Sequence, residues 1–278
     1  MADLQLGLIG DNISSSSAPR LHRLAGRQNG LDVRYDRLVP AELGKSFDEI
    51  LADCRATGFR GINVTYPYKE VAARKVTIED PQVRRIGAVN TIRFEDGAAF
   101  GFNTDYTGFI GGYRAVRGDK APGVVGVAGA GGVGRAVTFG LLTLGASEIR
   151  LFDRDAEKAE TLARALREAG TETRVAASAS PAEMARDTTG LINCTQLGMV
   201  GYPGSAIPRD LMGGQEWAFD AVYTPIDTAF LLDAAAEGMQ IISGYELFFF
   251  QGVHAWSIFS DLPLDEDRLR QDLASGAD

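Results

Sequence analysis

Histidine and cysteine, on which most metal and thiol chemistry rests, are nearly absent: His22, His254, Cys54 and Cys194 are the only ones. Two distant cysteines do not make the disulfide framework of a small secreted domain and suit a reducing compartment. A zinc centre would need ligands from four scattered positions, so no metal is expected, and both histidines are read as satisfied structural residues. Long apolar runs are missing too. The strongest, around Leu247 to Phe250, is far short of the ~20 residues that span a bilayer, and the opening MADLQLGLIG has no basic leader. Nor is there a basic run: 28 Lys+Arg face 37 Asp+Glu, a formal net charge of -9. That balance argues against nucleic acid, whose phosphates reward clustered cations. The expectation is a cytoplasmic protein with neither a membrane nor a nucleic-acid partner.

What the chain does have is length and apolar content, 278 residues at 45% hydrophobic. That exceeds the usual ~150 residues per domain, so two domains are expected. Short apolar runs alternate with helical patterns, the mark of an α/β protein. LGLIG, VRYDRL and GINVT read as strands; TIRF and AAFGF flank Asp96-Gly97 as a hairpin. Pro19 to Asn29 reads as a helix, and so does the segment from Ser46, where Ser46 and Glu49 form a capping box, Phe47, Ile50, Leu51 and Cys54 share a face, and Gly58 is the stop. The polar stretch RGDKAPG, 117–123, reads as a connecting loop before a second α/β unit. There VVGVA, EIRLFD, LINC, WAFDAV and MQII read as strands, and Asp155 to Ala169 as a helix with Ala159, Leu162, Ala163 and Leu166 inward.

Between VVGVA and its helix, Gly129-Ala130-Gly131-Gly132-Val133-Gly134 satisfies G-x-G-x-x-G. Its glycines permit a tight turn and close approach of backbone to a pyrophosphate at a helix N-terminus. Asp153, nineteen residues beyond Gly134 at the end of the next strand, is placed to accept the ribose hydroxyls of NAD. A ligand-free packing turn or a methyltransferase site would use the same glycines. Asp153 and Asp155 would repel the 2'-phosphate of NADP, while Arg154 would attract it or stack on adenine; NAD is favoured, with NADP the alternative. Asp155 also reads as a helix N-cap. The Tyr-x-x-x-Lys pair of short-chain dehydrogenases is absent, and Lys69, after a strand and a Pro-containing turn, reads equally as a surface lysine.

GINVTYPYK, GAVNT at 87–91, GFNTD at 101–105, GAGGVG, NCTQLGM at 193–199 and DAVYTPIDT at 220–228 follow in order through nearly the whole chain, with Gly244 and Gln251 beyond them. Together they resemble the shikimate/quinate dehydrogenase family. The resemblance implies an α/β substrate domain, 1–108 completed by 244–278, and a Rossmann-type doubly wound dinucleotide domain, 109–243. It assigns Lys69 and Asp105 to proton handling at the transferred hydroxyl. A lysine is a poor base at neutral pH, so the two are expected to act as a coupled pair, the ammonium giving its proton in ketone reduction while Asp105 orients it. The resemblance also implies that Ser16, Thr65, Asn90, Tyr223 and Gln251 line the substrate pocket, an array of polar groups suited to a small polyol carboxylate. By themselves Asp105 and Asn90 read as turn residues, Gln251 as helix surface and Tyr223 as a core aromatic.

The departure lies at the carboxylate end, where family members usually carry His-Ser-x-Ser/Thr-Pro and this chain has Ser15-Ser16-Ser17-Ala18-Pro19. Ser16 matches the first hydroxyl and Ala18 lacks the second. Losing one hydrogen bond to a charged group costs ~1.5 to 3 kcal/mol unless Ser14, Ser15 or Ser17 compensates; Ser17 also reads as an N-cap. The expected activity is reversible NAD-linked oxidation of a ring hydroxyl on a quinate- or shikimate-type carboxylate by a monomer or homodimer. The rivals are a dehydrogenase of a related cyclitol or alicyclic alcohol without the carboxylate, and a non-catalytic NAD-binding regulator.

Overall fold

A computed structural model describes residues 3–275. In chain order the first elements are β1 (Leu4–Ile9), α1 (Ala18–Gln28), β2 (Val33–Leu38), α2 (Pro40–Leu43), α3 (Phe47–Ala56), β3 (Gly61–Val64), α4 (Lys69–Ala73), α5 (Pro81–Ile86), β4 (Thr91–Glu95) and β5 (Ala98–Phe102). There follow α6 (Thr104–Arg117), β6 (Val124–Ala128), α7 (Gly132–Thr143), β7 (Glu148–Phe152), α8 (Ala156–Arg167), β8 (Arg174–Ala177), α9 (Pro181–Ala185), β9 (Gly190–Asn193), β10 (Trp217–Asp220), α10 (Ala229–Ala236), β11 (Gln240–Ile242), α11 (Gly244–Ser260) and α12 (Glu266–Ala274). The chain divides into unit 1, residues 1–104 with 251–278, and unit 2, residues 105–250. The stretch 117–123 lies inside unit 2: Arg117 closes α6 and 118–123 joins it to β6.

Unit 1 is built on a mixed sheet in the order β2-β1-β3-β4-β5, with β1 parallel to β2 and β3, and β3-β4-β5 antiparallel. The β4–β5 turn puts Asp96 and Gly97 at φ 50° and 75°, the left-handed pair a two-residue hairpin needs. At α3, Ser46 accepts from the Glu49 backbone while the Glu49 carboxylate accepts from the Ser46 N–H at 2.8 Å; Phe47, Ile50, Leu51 and Cys54 are buried. Ala18 opens α1 with Pro19 behind it, yet Ser17, the N-cap by position, makes no capping bond; Ser16 Oγ instead accepts from Ala18 N at 3.3 Å.

Unit 2 carries a six-stranded parallel sheet, β11-β10-β9-β6-β7-β8, the order of a doubly wound dinucleotide fold with its switch point between β6 and β9. Strand β6 feeds the Gly-rich turn into α7, and β7 feeds Asp153 into α8, whose N-cap Asp155 accepts from Glu157 and Lys158 backbone N–H groups. Helix α6, unexpected from the pattern, contains three glycines, and two of them allow close packing inside unit 2: a Cβ at Gly111 would press on Phe250, and one at Gly112 on Glu246.

The two histidines depart from expectation in one respect. His22 is buried against Tyr35, with ring centroids 5.2 Å apart, but its Nδ1 has no partner among the described residues. Burial pushes its pKa down to about 4 from 6.5, and burial also lowers His254. Between those two values the unfolded chain binds a proton at His22 that the folded chain refuses. Stability is therefore full above the unfolded value and falls as pH drops from about 6.5 to about 4. Urea unfolding against pH should show an acid loss of about 3 kcal/mol in wild type that His22→Leu lacks; equal acid limbs in both proteins would refute the assignment.

Candidate functional site

In unit 1 the segments that carry Thr65, Lys69 and Asn90 meet at the carboxyl ends of β1 and β3. Thr65 N donates to the Ile9 carbonyl at 2.9 Å and continues the β1–β3 pairing past the last strand residues. A Cβ at Gly10 would collide with the Thr65 methyl, so glycine there lets the two chain segments close on each other. Asp11 N donates to the Tyr66 carbonyl at 3.1 Å, and the Tyr68 hydroxyl donates to Asp11 Oδ1 at 3.1 Å. These bonds tie the serine loop to the turn that presents Lys69 at the start of α4, and Val89 N bonds the Lys69 carbonyl at 2.9 Å. Ser14 and Ser15 are exposed, Ser16 and Ser17 half-buried. Arg37 donates to the Ser16 carbonyl at 3.1 Å, with no carboxylate in ion-pair distance among the described residues.

Asn90 is buried, and its orientation is settled by its neighbours. One atom of its amide takes bonds from Thr104 N at 2.7 Å, Thr104 Oγ1 at 3.2 Å and Thr91 Oγ1 at 3.1 Å. A backbone N–H can only donate, so that atom is the oxygen, and the NH2 is the opposite end of the amide. Gln251, half-buried on α11, has no described hydrogen bond to these residues; its neighbour Gly252 packs on Leu21 of α1.

In unit 2, Asp105 lies buried in the first turn of α6. The Gly-rich turn has the shape a dinucleotide needs. Gly129 sits at φ 101°, where a Cβ would press on Cys194, and a Cβ at Gly134 would collide with the Gly129 carbonyl. At Gly131 and Gly132 a Cβ would meet nothing within 4 Å, so these positions face open space above the N-terminus of α7, whose first turn carries no acid. Asp153 Oδ2 accepts from Ala130 N at 2.8 Å and Oδ1 from Asp155 N at 3.0 Å, which fixes the carboxylate beside the turn with lone pairs to spare. Arg154 is exposed. Tyr223 is not a core aromatic: it is 36% exposed, stacks on Phe248 with centroids 5.3 Å apart, and has its hydroxyl pKa raised by burial.

One buried network spans two of the quoted motifs, with Asn193 in the first and Asp220 and Thr228 in the second. Asp220, fully buried at the end of β10, accepts from Asn193 Nδ2 at 3.0 Å, Val222 N at 2.9 Å and Thr228 Oγ1 at 2.6 Å. Burial raises its pKa to about 6 against the pull of those three donors.

The profile of the shikimate dehydrogenase substrate-binding domain matches residues 8–92. The quinate/shikimate dehydrogenase (NAD(+)) of Corynebacterium efficiens is 37% identical over 95% of both chains. The shikimate dehydrogenase (NADP(+)) of Pseudarthrobacter chlorophenolicus is 35% identical over 95% of this chain and 92% of its own. Among solved structures, the quinate dehydrogenase of Corynebacterium glutamicum in complex with NAD superposes with a TM-score of 0.91 at 31% identity, covering 98% of this chain and 99% of that one.

The Asn90 geometry is testable through stability alone. Removing its oxygen leaves Thr104 N buried without an acceptor, so Asn90→Ala should lower the urea-unfolding free energy by about 1 to 3 kcal/mol. A loss within experimental error would show that those bonds do not hold the turn.

Proposed function

The chain belongs to the shikimate/quinate dehydrogenase family, and on that premise we propose that it reversibly oxidises a ring hydroxyl of a quinate- or shikimate-type carboxylate, with NAD as the preferred partner. The observation that carries this reading is the full-length match to an NAD-linked quinate/shikimate enzyme. The same reading makes it a cytoplasmic monomer or homodimer.

The glycines at 129, 131, 132 and 134 and Asp153 would hold the dinucleotide, a fit supported by the open faces of Gly131 and Gly132 and by the anchored Asp153 carboxylate. When bound, NAD supplies the hydride acceptor. Everything else falls to side chains. Lys69 moves the proton: its ammonium gives one up when the ketone is reduced, and the amine takes one when the alcohol is oxidised. Asp105 is assigned by the family resemblance to the same proton transfer and to a ring hydroxyl. The Asn90 NH2 donates to the ring, because its oxygen is already engaged by Thr104 and Thr91. Thr65, Tyr223 and Gln251 are each assigned to substrate binding by the family resemblance, and Arg154 to the adenine ribose. Ser16 receives the carboxylate, its oxygen held by Ala18 N so that its hydroxyl proton is free to donate.

Ala18 keeps the carboxylate-free alcohol as a second reading. A panel of quinate, shikimate and a carboxylate-free ring polyol, each with NAD and NADP, separates the two by the absorbance of the reduced cofactor. The acids should win; preference for the neutral polyol would replace the first reading by the second. On the preferred acid, Lys69→Ala should lose roughly a hundred-fold or more in kcat, the scale of a lost acid-base group, with NAD binding by fluorescence titration nearly unchanged. Near-normal kcat would overturn the role of Lys69. For the cofactor, Asp153→Ser should shift the NAD over NADP ratio of kcat/KM towards NADP by about ten-fold or more, equivalent to roughly 1.4 kcal/mol of repulsion removed. A wild type that already favours NADP would refute it.

A further inference from the structure

The loops that follow β9 and β10 in unit 2 start from one buried carboxylate. Asp220 Oδ1 accepts from Asn193 Nδ2 and from Val222 N, and Oδ2 accepts from the Thr228 hydroxyl. Each donor belongs to a different segment. Asn193 ends β9, Val222 opens the segment that bears Tyr223, and Thr228 is the N-cap of α10, where its oxygen accepts from Leu231 N at 3.3 Å. Asn193 extends the network into the loop behind it: its Nδ2 also reaches the Leu197 carbonyl at 3.0 Å, and its Oδ1 accepts from Thr195 N at 2.9 Å and Thr195 Oγ1 at 2.7 Å. Farther out, Val200 N donates to the Thr224 carbonyl at 3.3 Å and joins one loop to the other.

Beyond this network the loops bury little. Val200 is 71% exposed, and Tyr202, Ile226 and Leu197 are exposed as well. Apolar packing therefore contributes little to their conformation, and the polar network at their base has to hold it. A carboxylate is a costly residue to bury, and a neutral isostere of the same shape would avoid that cost. Three donors from three segments give a reason for its charge: only an ionised carboxylate accepts on both oxygens without offering a proton back.

We propose that Asp220 is a positioning residue for the reaction, its carboxylate locking segments 194–202 and 221–228 into one joint conformation and thereby setting the place of Tyr223. The assignment rests on the reading of Tyr223 as a pocket residue. Burial raises the Asp220 pKa to about 6, so above that value the carboxylate is ionised and accepts on both oxygens, whereas below it one oxygen carries a proton and must donate. The titratable groups beside it are the Cys194 thiol, raised by burial and by the Asp220 charge, and the Tyr223 hydroxyl, raised by burial; neither is charged near neutrality. Asp220→Asn removes the charge and one acceptor oxygen. Its oxygen still serves Asn193 and Val222, but its NH2 faces Thr228 Oγ1, whose hydroxyl must turn away.

Hydrogen exchange read by mass spectrometry on wild type and Asp220→Asn at matched pH tests the lock without reference to activity. At about pH 8 the variant should exchange roughly ten-fold faster in 194–202 and 221–228, as expected for loss of about one charged hydrogen bond, with 129–134 unchanged. On the preferred ring acid, kcat at the higher pH should fall by about ten-fold with the Kd of NAD unchanged, and the variant should lack a wild-type limb near pH 6. Thr228→Val removes the Oδ2 donor and serves as the second variant, with the same direction of change expected in 221–228. Equal exchange in both segments overturns the lock. Faster exchange with unaltered kcat and pH profile overturns the positioning role. An exchange difference in a protein that oxidises no ring acid upholds the lock and overturns the proposed substrate class instead.

Discussion

A strand that ends at a loop leaves its last backbone groups without a ladder partner, and burying them unpaired costs about 1 to 3 kcal/mol each. Both units meet this constraint with buried side chains at strand ends. In unit 1, Asn90 takes the Thr104 N–H beside the end of β3. In unit 2, Asp153 takes the Ala130 N–H after β7, and Asp220 takes the Val222 N–H after β10. These are also the edges from which ligand-binding loops rise in such sheets. The groups that satisfy the backbone therefore stand beside the groups assigned to bind substrate and cofactor, and neither set is free to change without the other.

The regular parts of the fold were legible because each rests on a local rule. Asp96-Gly97 dictates its hairpin, Ser46 and Glu49 their capping box, and the spacing of Ala159, Leu162, Ala163 and Leu166 the buried face of α8. Helix α6 was not legible. Its glycines depress helix propensity, and only the packing of Gly111 on Phe250 and Gly112 on Glu246 explains them. The Asp220 network escaped for a different reason. Asn193, Asp220 and Thr228 are spread over 36 residues and are joined by β9–β10 pairing, which no local pattern announces. Ser17 was legible as an N-cap position but not the transfer of the bond to Ser16, which depends on the turn before α1.

His22 and Asp220 show how burial alone sets opposite responses to acid. Desolvation favours the neutral form of each, so it lowers the histidine and raises the carboxylate. For Asp220 the folded value lies above the unfolded one, so its contribution to stability is full below the unfolded value, near 3.8, and is lost as pH rises through about 6. For His22 the loss comes on acidification over a window that overlaps it. The two titrations oppose each other in the stability of the whole chain, which makes single-site variants, rather than the wild-type pH curve, the way to see either.

Cofactor choice is bound into the same logic. Asp153 has been treated as a charge that repels a 2'-phosphate, yet its Oδ2 also satisfies Ala130 N inside the glycine turn and its Oδ1 satisfies Asp155 N at the approach to α8. A shorter serine in its place would have one oxygen to offer where two are in use, so a substitution at this position also loosens the glycine turn. The nearby Arg154 is exposed and carries no such structural duty. A route to NADP that spares the glycine turn would keep an acceptor on Ala130, for instance an asparagine at 153, giving up the Asp155 N bond, and would leave the positive charge to Arg154 and the N-cap to Asp155.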